Sequence, residues 1–318
     1  MGTNVERYRH SESVLWRSLG VDVREVTARF GVARTALRVQ EVGTGPPVLF
    51  IHGGSASGTN WAQLVPHLRV QLPDRRLLLV DRPGCGLSAT VATEDGIGGF
   101  NRFADDFVAN ALDALDLEQA DVVATSMGGL IAIRSALAHP ERTRTLVQLA
   151  YCPGAEVQRV PRSMRIAALP GVAAATTLIP ANRPAVRAIL KQLGLGDAIR
   201  DGRVSDVAIE WFRSLLRDTL TMRNELAATP ELFHWRRGIN PDVRLDEQSL
   251  RTLATPTLFI WSTNDPIGDA DVARAFTAQI PGVRLELLDD PSHAPSITQP
   301  SECADLIAAH ITAHHSSA

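Results

Sequence analysis

The stretch Asp121-Val122-Val123-Ala124-Thr125-Ser126-Met127-Gly128-Gly129-Leu130 decides how the rest of the chain reads. Its first half is a short run of β-branched and small apolar residues, the pattern of a strand buried on both faces. Its second half opens a helical pattern that continues to Ala138. A serine stands on the turn between them, with Ala124 two residues before it and Gly128 two residues after it. A nucleophile held on so tight a strand-to-helix turn has a strained backbone, and only small residues at those two positions let strand and helix approach closely enough. The same turn puts the Ser126 hydroxyl at the start of a helix, where backbone N–H groups without intrahelical partners can stabilise an oxyanion. The bare pattern small-x-Ser-x-Gly arises often by chance, so its weight comes from lying between a strand and a helix.

Outward from this elbow the periodicity alternates. Residues 5–20 carry apolar side chains at helical spacing (Val5, Tyr8, Val14, Leu15, Leu19) and predict a leading amphipathic helix. Residues 23–30, 36–42 and 47–51 are short β-branched or alternating runs, the last two separated by Gly43-Thr44-Gly45-Pro46-Pro47, and predict a meander of strands. Helix 61–71, strand 76–80, helix 101–117, strand 120–124, helix 127–138 and strand 144–150 follow. Such alternation predicts an α/β fold, a mainly parallel sheet covered by helices on both faces. Between 151 and 254 it stops: helical patterns at 185–193, 204–221 and 224–232 are broken by proline and glycine, no strand is convincing, and an inserted helical cap is expected. The sheet pattern resumes with strand 257–261, helix 269–280, strand 283–288 and a closing helix 301–313. The expected division is therefore a core at 1–150, a cap at 151–254 and the rest of the core at 255–318.

Composition narrows the function classes. With 45% hydrophobic and 21% charged residues over 318 positions, the chain can bury a large core and is not a disordered protein. A net charge of -3 and 5% aromatic residues supply neither the basic field nor the stacking surface of a nucleic-acid binder. Lys191 is the only lysine beside many arginines, which reflects compositional bias across the sequence more than anion binding. The N-terminus runs straight into charged residues with no signal-peptide pattern. The weakly apolar region 166–181 is interrupted by Pro170 and Pro180, so it reads as buried or cap helix and not as a membrane span. Cys85, Cys152 and Cys303 are odd in number and far apart, which suggests neither disulfides nor a zinc site, and a cytoplasmic location is expected.

A serine hydroxyl is a poor nucleophile near neutral pH and needs a base, and the base needs a group that fixes its tautomer. Asp265, in Ser262-Thr263-Asn264-Asp265-Pro266, and His293, in Pro291-Ser292-His293-Ala294-Pro295, each follow a predicted strand. That is the edge where sites collect in open parallel sheets. The glycine-rich segment Phe50-Ile51-His52-Gly53-Gly54-Ser55 ends another strand and can aim an N–H at developing negative charge beside that of Met127. Gly54 is the expected donor, with Ser55 second.

With these segments in view the chain resembles the α/β-hydrolase family. The His-Gly-Gly loop, Asp81-Arg82-Pro83-Gly84-Cys85-Gly86-Leu87-Ser88, the Ser126 elbow, Asn264-Asp265-Pro266 and His293-Ala294-Pro295 look like its signatures, in family order, over residues 23–313. The resemblance implies an eight-stranded, mostly parallel sheet, a Ser126-Asp265-His293 triad and no cofactor, beside the oxyanion hole of Gly54 and Met127 and the small-molecule substrate expected from the residues themselves. Ala124 departs from the commoner glycine but is small. Serine at the elbow argues against the epoxide-hydrolase and haloalkane-dehalogenase branches, which use a carboxylate.

Hydrolysis of a carboxylic ester or lactone of a hydrophobic small molecule is the leading expectation. Carbon–carbon hydrolysis or acyl transfer by the same residues ranks second, held open by the cap arginines Arg159, Arg162, Arg165, Arg183, Arg187 and Arg213. A ligand-binding protein without turnover is the reading from another class; loss of Ser126, Asp265 or His293 would favour it, and none is lost. Blander roles compete at single residues: a helix N-cap at Ser126, a turn at Asp265, a surface loop at His293. Asp269 and Asp271 are alternative acids, better explained by a helix start. His52 is expected to brace its loop, and Asp81 and Arg82 to fix a turn. Asp105 and Asp106 read as a solvated helix face, and His310, His314 and His315 as a frayed tail more than a metal site. Trp61, Trp211, Phe212, Phe233 and Trp235 are candidates to line an acyl pocket beneath the cap, but most are expected to be core.

Overall fold

The computed structural model describes residues 3–91, 96–155, 169, 181–234 and 238–315. Helix α1 (Val5–Ser18) starts where the Asn4 side chain accepts from the Arg7 N–H, which satisfies one of the donors a helix start leaves open. Strands β1 (Arg24–Phe30) and β2 (Thr35–Val42) form an antiparallel hairpin. Strand β3 (Pro47–Ile51), helix α2 (Val65–Gln71), strand β4 (Arg76–Val80), helix α3 (Gly96–Asp113), strand β5 (Ala120–Thr125), helix α4 (Met127–Ala138) and strand β6 (Thr143–Leu149) follow.

Helices α5 (Arg183–Gln192), α6 (Gly196–Arg200), α7 (Asp206–Asp218) and α8 (Thr221–Leu232), the short strands β7 (Phe233–His234) and β8 (Gly238–Ile239) and helix α9 (Glu247–Leu250) lie between β6 and the next sheet strand. The chain then ends through β9 (Thr257–Ser262), α10 (Ala270–Thr277), β10 (Arg284–Leu288), α11 (Pro295–Thr298) and α12 (Pro300–His315).

The main sheet has eight strands in the order β1-β2-β4-β3-β5-β6-β9-β10, parallel from β4 onward. The expected meander is corrected here: β2 pairs antiparallel with β4, and β3 crosses to the far side of β4. The reason is burial. Val48, Leu49, Phe50 and Ile51 are all fully buried, and a strand apolar on both faces must sit mid-sheet with helices above and below it. The alternation along the strands is kept. Leu49, Ile51, Leu78, Val80 and Val122 join the core under α3, α4 and α10, while Val48, Phe50, Leu77, Leu79 and Val123 join the core under α1, α2 and α12. Each such side chain contributes roughly 1.5–3 kcal/mol by leaving water.

The inserted cap has its own small core of Val186, Leu190, Leu195, Ala198, Val204, Ile209 and Leu216. Its β7–β8 ribbon differs from the strand-free expectation; two-residue strands are too short to leave a period in the sequence. Of the region 166–181, only 169 and 181 are among the described residues. The closing helix also differs from the frayed tail expected: it runs to His315, whose Nε2 lies 2.8 Å from the fully buried Asp121, and His310 is buried against the Pro256 carbonyl. Among the described residues no helix is long and apolar enough to cross a membrane, and no cluster of three or more metal-ligating side chains occurs.

Candidate active site

Ser126 sits between β5 and α4 with φ 51° and ψ −122°, a conformation that costs on the order of 1–3 kcal/mol for a residue with a side chain. Its surroundings over-determine it. The Ser126 N–H donates to the Leu149 carbonyl at 3.2 Å, and the Ser126 carbonyl accepts from Gly129 N–H at 2.8 Å. The glycine at 128 is required: a Cβ there would lie 2.3 Å from the Ile51 carbonyl oxygen. Ser126 stands at the N-cap position of α4 yet its side chain caps nothing. Its Oγ instead lies 3.0 Å from Nε2 of His293.

His293 Nδ1 lies 2.8 Å from Oδ2 of Asp265. A carboxylate only accepts, so Nδ1 carries the proton and Nε2 offers its lone pair to the serine hydroxyl. Asp265, 3% exposed, is held by three donors: its Oδ2 also accepts from Tyr151 N–H at 2.9 Å, and its Oδ1 from Ile267 N–H at 2.9 Å. The loops carrying the acid and the histidine are tied together beneath by buried Asp290, which accepts from Ser262 Oγ (3.1 Å), Ser292 Oγ (2.5 Å) and Thr298 Oγ1 (2.8 Å). The cap reaches the histidine as well. The His293 N–H donates to the Leu193 carbonyl at 2.8 Å, and the turn closes so tightly that a Cβ on Gly194 (φ 81°) would lie 2.0 Å from the Pro291 oxygen.

The other candidate acids stand elsewhere. Asp269 caps α10 by accepting from the Asp271 and Val272 N–H groups, and Asp271 pairs with Arg274 in solvent. Asp105 and Asp106 pair with Arg134 and His139 on the outer face of α3.

The His-Gly-Gly loop arrives from the end of β3. His52 uses both ring nitrogens locally, Nδ1 toward the Gly53 carbonyl at 2.8 Å and Nε2 accepting from the Arg82 N–H at 3.0 Å. Burial, reinforced by the Arg82 guanidinium, holds it well below the usual histidine range, so it stays neutral and braces the loop. Asp81 fixes its own turn through the Gly58 and Leu87 N–H groups. Arg82 does more than fix a turn: its Nε donates to the His52 carbonyl (3.1 Å) and its Nη2 to the Gly53 carbonyl (2.9 Å).

Arg82 is completed by Glu225 of α8, whose Oε1 accepts from it at 2.8 Å and from the Cys85 thiol at 3.3 Å. Oε2 of the same carboxylate accepts from the Ser55 N–H at 3.0 Å, so the second-choice oxyanion donor is occupied. Among the described residues the N–H groups of Gly54 and Met127 take no hydrogen bond, and Gly54 is exposed. Glu225 carries no local motif and acts from a helix far away in sequence, so nothing around it in the sequence signals the role. By holding Arg82 and Ser55 together it fixes the loop on both sides of Gly54. Glu225→Gln, which presents an amide N–H to one of these donors, is expected to lower kcat about tenfold with KM changed less than about twofold, because oxyanion contacts strengthen in the transition state. Steady-state kinetics on the folded variant checks this; an unchanged kcat contradicts it.

Beside Ser126 lies a cavity of about 120 Å³, lined chiefly by Leu15, Leu190, Leu195, Trp211, Phe212 and Ile297, with no Asp, Glu, Lys or Arg among the described residues of its wall. Trp211 and Phe212 thus face the pocket, whereas Trp61 is fully buried in the core against Phe50. The side chains of Phe233 and Trp235 lie outside the described residues. Three of the cap arginines are engaged at the surface: Arg183 and Arg213 with Glu210, and Arg187 with Asp206. Arg159, Arg162 and Arg165 lie outside the described residues.

A model of the alpha/beta hydrolase fold matches residues 46–300. Among curated proteins, a pimeloyl-[acyl-carrier protein] methyl ester esterase of Aeromonas hydrophila is 26% identical over 279 residues, covering 86% of this chain and 98% of that protein. A 2-hydroxy-6-oxononadienedioate/2-hydroxy-6-oxononatrienedioate hydrolase of Cupriavidus pinatubonensis is 26% identical over 273 residues, covering 85% and 88%. Among solved structures, the carboxylesterase CesB of Bacillus subtilis superposes with a TM-score of 0.73 at 15% identity, covering 96% of this chain and 98% of the other.

Proposed function

The chain belongs to the alpha/beta hydrolase fold family, and we propose that this enzyme is a serine hydrolase that cleaves a carboxylic ester or lactone of an apolar small molecule through an acyl-enzyme on Ser126. The observation that carries this is the continuous line of hydrogen bonds from Ser126 Oγ to His293 Nε2 (3.0 Å) and from His293 Nδ1 to Asp265 Oδ2 (2.8 Å). Ser126 Oγ attacks the carbonyl carbon while His293 Nε2 takes its proton. The N–H groups of Gly54 and Met127 hold the oxyanion. Collapse breaks the C–O bond, His293 returns the proton to the leaving alcohol, and a water deprotonated by the same nitrogen releases the acid.

Ester cleavage is favoured over carbon–carbon cleavage by the described residues of the cavity wall, among which no Lys or Arg occurs. A substrate carboxylate placed against these residues would lose its hydration with no cation among them to replace it. Carbon–carbon hydrolysis is kept as the second reading because relatives at equal identity are hydrolases of both kinds. A panel of esters, lactones and a vinylogous diketone decides between them. Esters or lactones are expected to give kcat/KM at least about tenfold above the diketone; a diketone cleaved orders of magnitude faster than every ester reverses the choice.

A further inference from the structure

Helix α1 lies outside residues 46–300, the part that matches the family model, yet it forms one wall of the cavity beside Ser126. Leu15, 2% exposed, projects from it into that wall, which Leu190 and Ile297 also line. The helix is pinned to both halves of the molecule. Toward the cap, the Asn4 N–H donates to the Asp218 carbonyl at 2.8 Å, and Arg7 pairs with the Asp218 carboxylate at 3.2 Å. Toward the core, Glu12 pairs with buried Arg38 at 2.5 Å and accepts from the Thr59 hydroxyl at 2.5 Å, while the Tyr8 hydroxyl meets Ser57 at 3.0 Å. Thr59 itself lines the cavity, so the carboxylate that anchors the helix also sets a second part of the wall.

We propose that α1 is the specificity wall of this site, with Leu15 closing a subsite that receives one compact, uncharged apolar arm of the ester, of about five or six carbon atoms. The size follows from the volume: a cavity of about 150 Å³ accommodates a benzene ring, and this one has about 120 Å³. The chemical class follows from the described residues of the lining, which carry the uncharged amides of Asn60 and Gln63 and no carboxylate or guanidinium group. Because the subsite opens beside both Ser126 and His293, the arm is either the acyl chain or the alcohol, and paired substrate series separate the two.

The inference rests on ester cleavage at Ser126, and the test separates the two. Wild type, Leu15→Ala and Leu15→Phe are assayed for kcat/KM on p-nitrophenyl esters of acyl chain length two to ten, and on acetates of alcohols of the same lengths. Each methylene that finds apolar cover raises kcat/KM about fourfold, and truncating Leu15 makes room for two or three more. In one series Leu15→Ala is therefore expected to move the optimum to longer chains and raise the eight-carbon to four-carbon ratio about tenfold or more. Leu15→Phe moves it the other way, and either variant alone is decisive. Equal scaling of every member of both series by the substitution overturns the specificity wall while leaving ester hydrolysis intact. No turnover of any ester by wild type overturns ester hydrolysis itself, and the inference with it.

Discussion

Ser126→Ala is expected to lower kcat by roughly four to six orders of magnitude while leaving the fold and substrate affinity nearly unchanged. The hydroxyl takes part in no helix cap, and its side-chain partner among the described residues is His293, so its removal frees only Nε2 of His293, a residue that lines the cavity. Alanine adopts the positive φ at that position no less readily than serine, so the elbow geometry is kept. The Gly54 and Met127 N–H groups remain and sustain the residual rate over the uncatalysed reaction. A Tm within about 2 °C of wild type together with collapsed turnover is the expected pair of measurements. Near-wild-type kcat in the pure variant removes Ser126 from the mechanism.

Asp265→Asn is the second large effect, expected at about 10³–10⁴ in kcat, and the hydrogen bonds explain why an isosteric amide fails. Oδ2 receives two donors, Tyr151 N–H and His293 Nδ1–H, and Oδ1 receives the Ile267 N–H. If the asparagine oxygen takes the Oδ2 place, its NH₂ faces the Ile267 N–H and the imidazolium loses its counter-charge. If the NH₂ takes the Oδ2 place, Nδ1 must accept, Nε2 carries the proton, and the base points the wrong tautomer at Ser126. Either arrangement also leaves a buried backbone donor without an acceptor, so unfolding free energy should fall by about 1–3 kcal/mol. Urea denaturation and steady-state kinetics read the two effects separately. A mild Asp265→Asn beside a severe Asp269→Asn reassigns the acid.

How much of this was legible beforehand depends on how local the cause is. The Ser126 elbow and the strand ends bearing Asp265 and His293 are written in short stretches, because a tight turn demands small residues and a parallel sheet gathers loops at one edge. The order of β3 and β4 was not, since choosing which buried strand lies centrally requires comparing all of them at once. The cap's grip on the site was invisible for the same reason. Glu225 reaches Arg82 across 143 positions and Ser55 across 170, and no periodicity records such a pairing. Leu15 read as one apolar position of an amphipathic helix, which it is; that the helix would face a cavity beside Ser126 depends on where the cap places α7.

The most direct measurement is covalent labelling with a fluorophosphonate, a phosphoryl electrophile that captures an activated serine and leaves an adduct too stable to hydrolyse on the assay timescale. Ester hydrolysis and label incorporation are followed together, and the modified peptide is identified by mass spectrometry. The expected result is one phosphonyl group per chain, located on the peptide bearing Ser126, activity falling in proportion to incorporation, and labelling slowed at least about a hundredfold in Asp265→Asn. Full modification of Ser126 with ester hydrolysis retained, or loss of activity with the label on another residue, contradicts it.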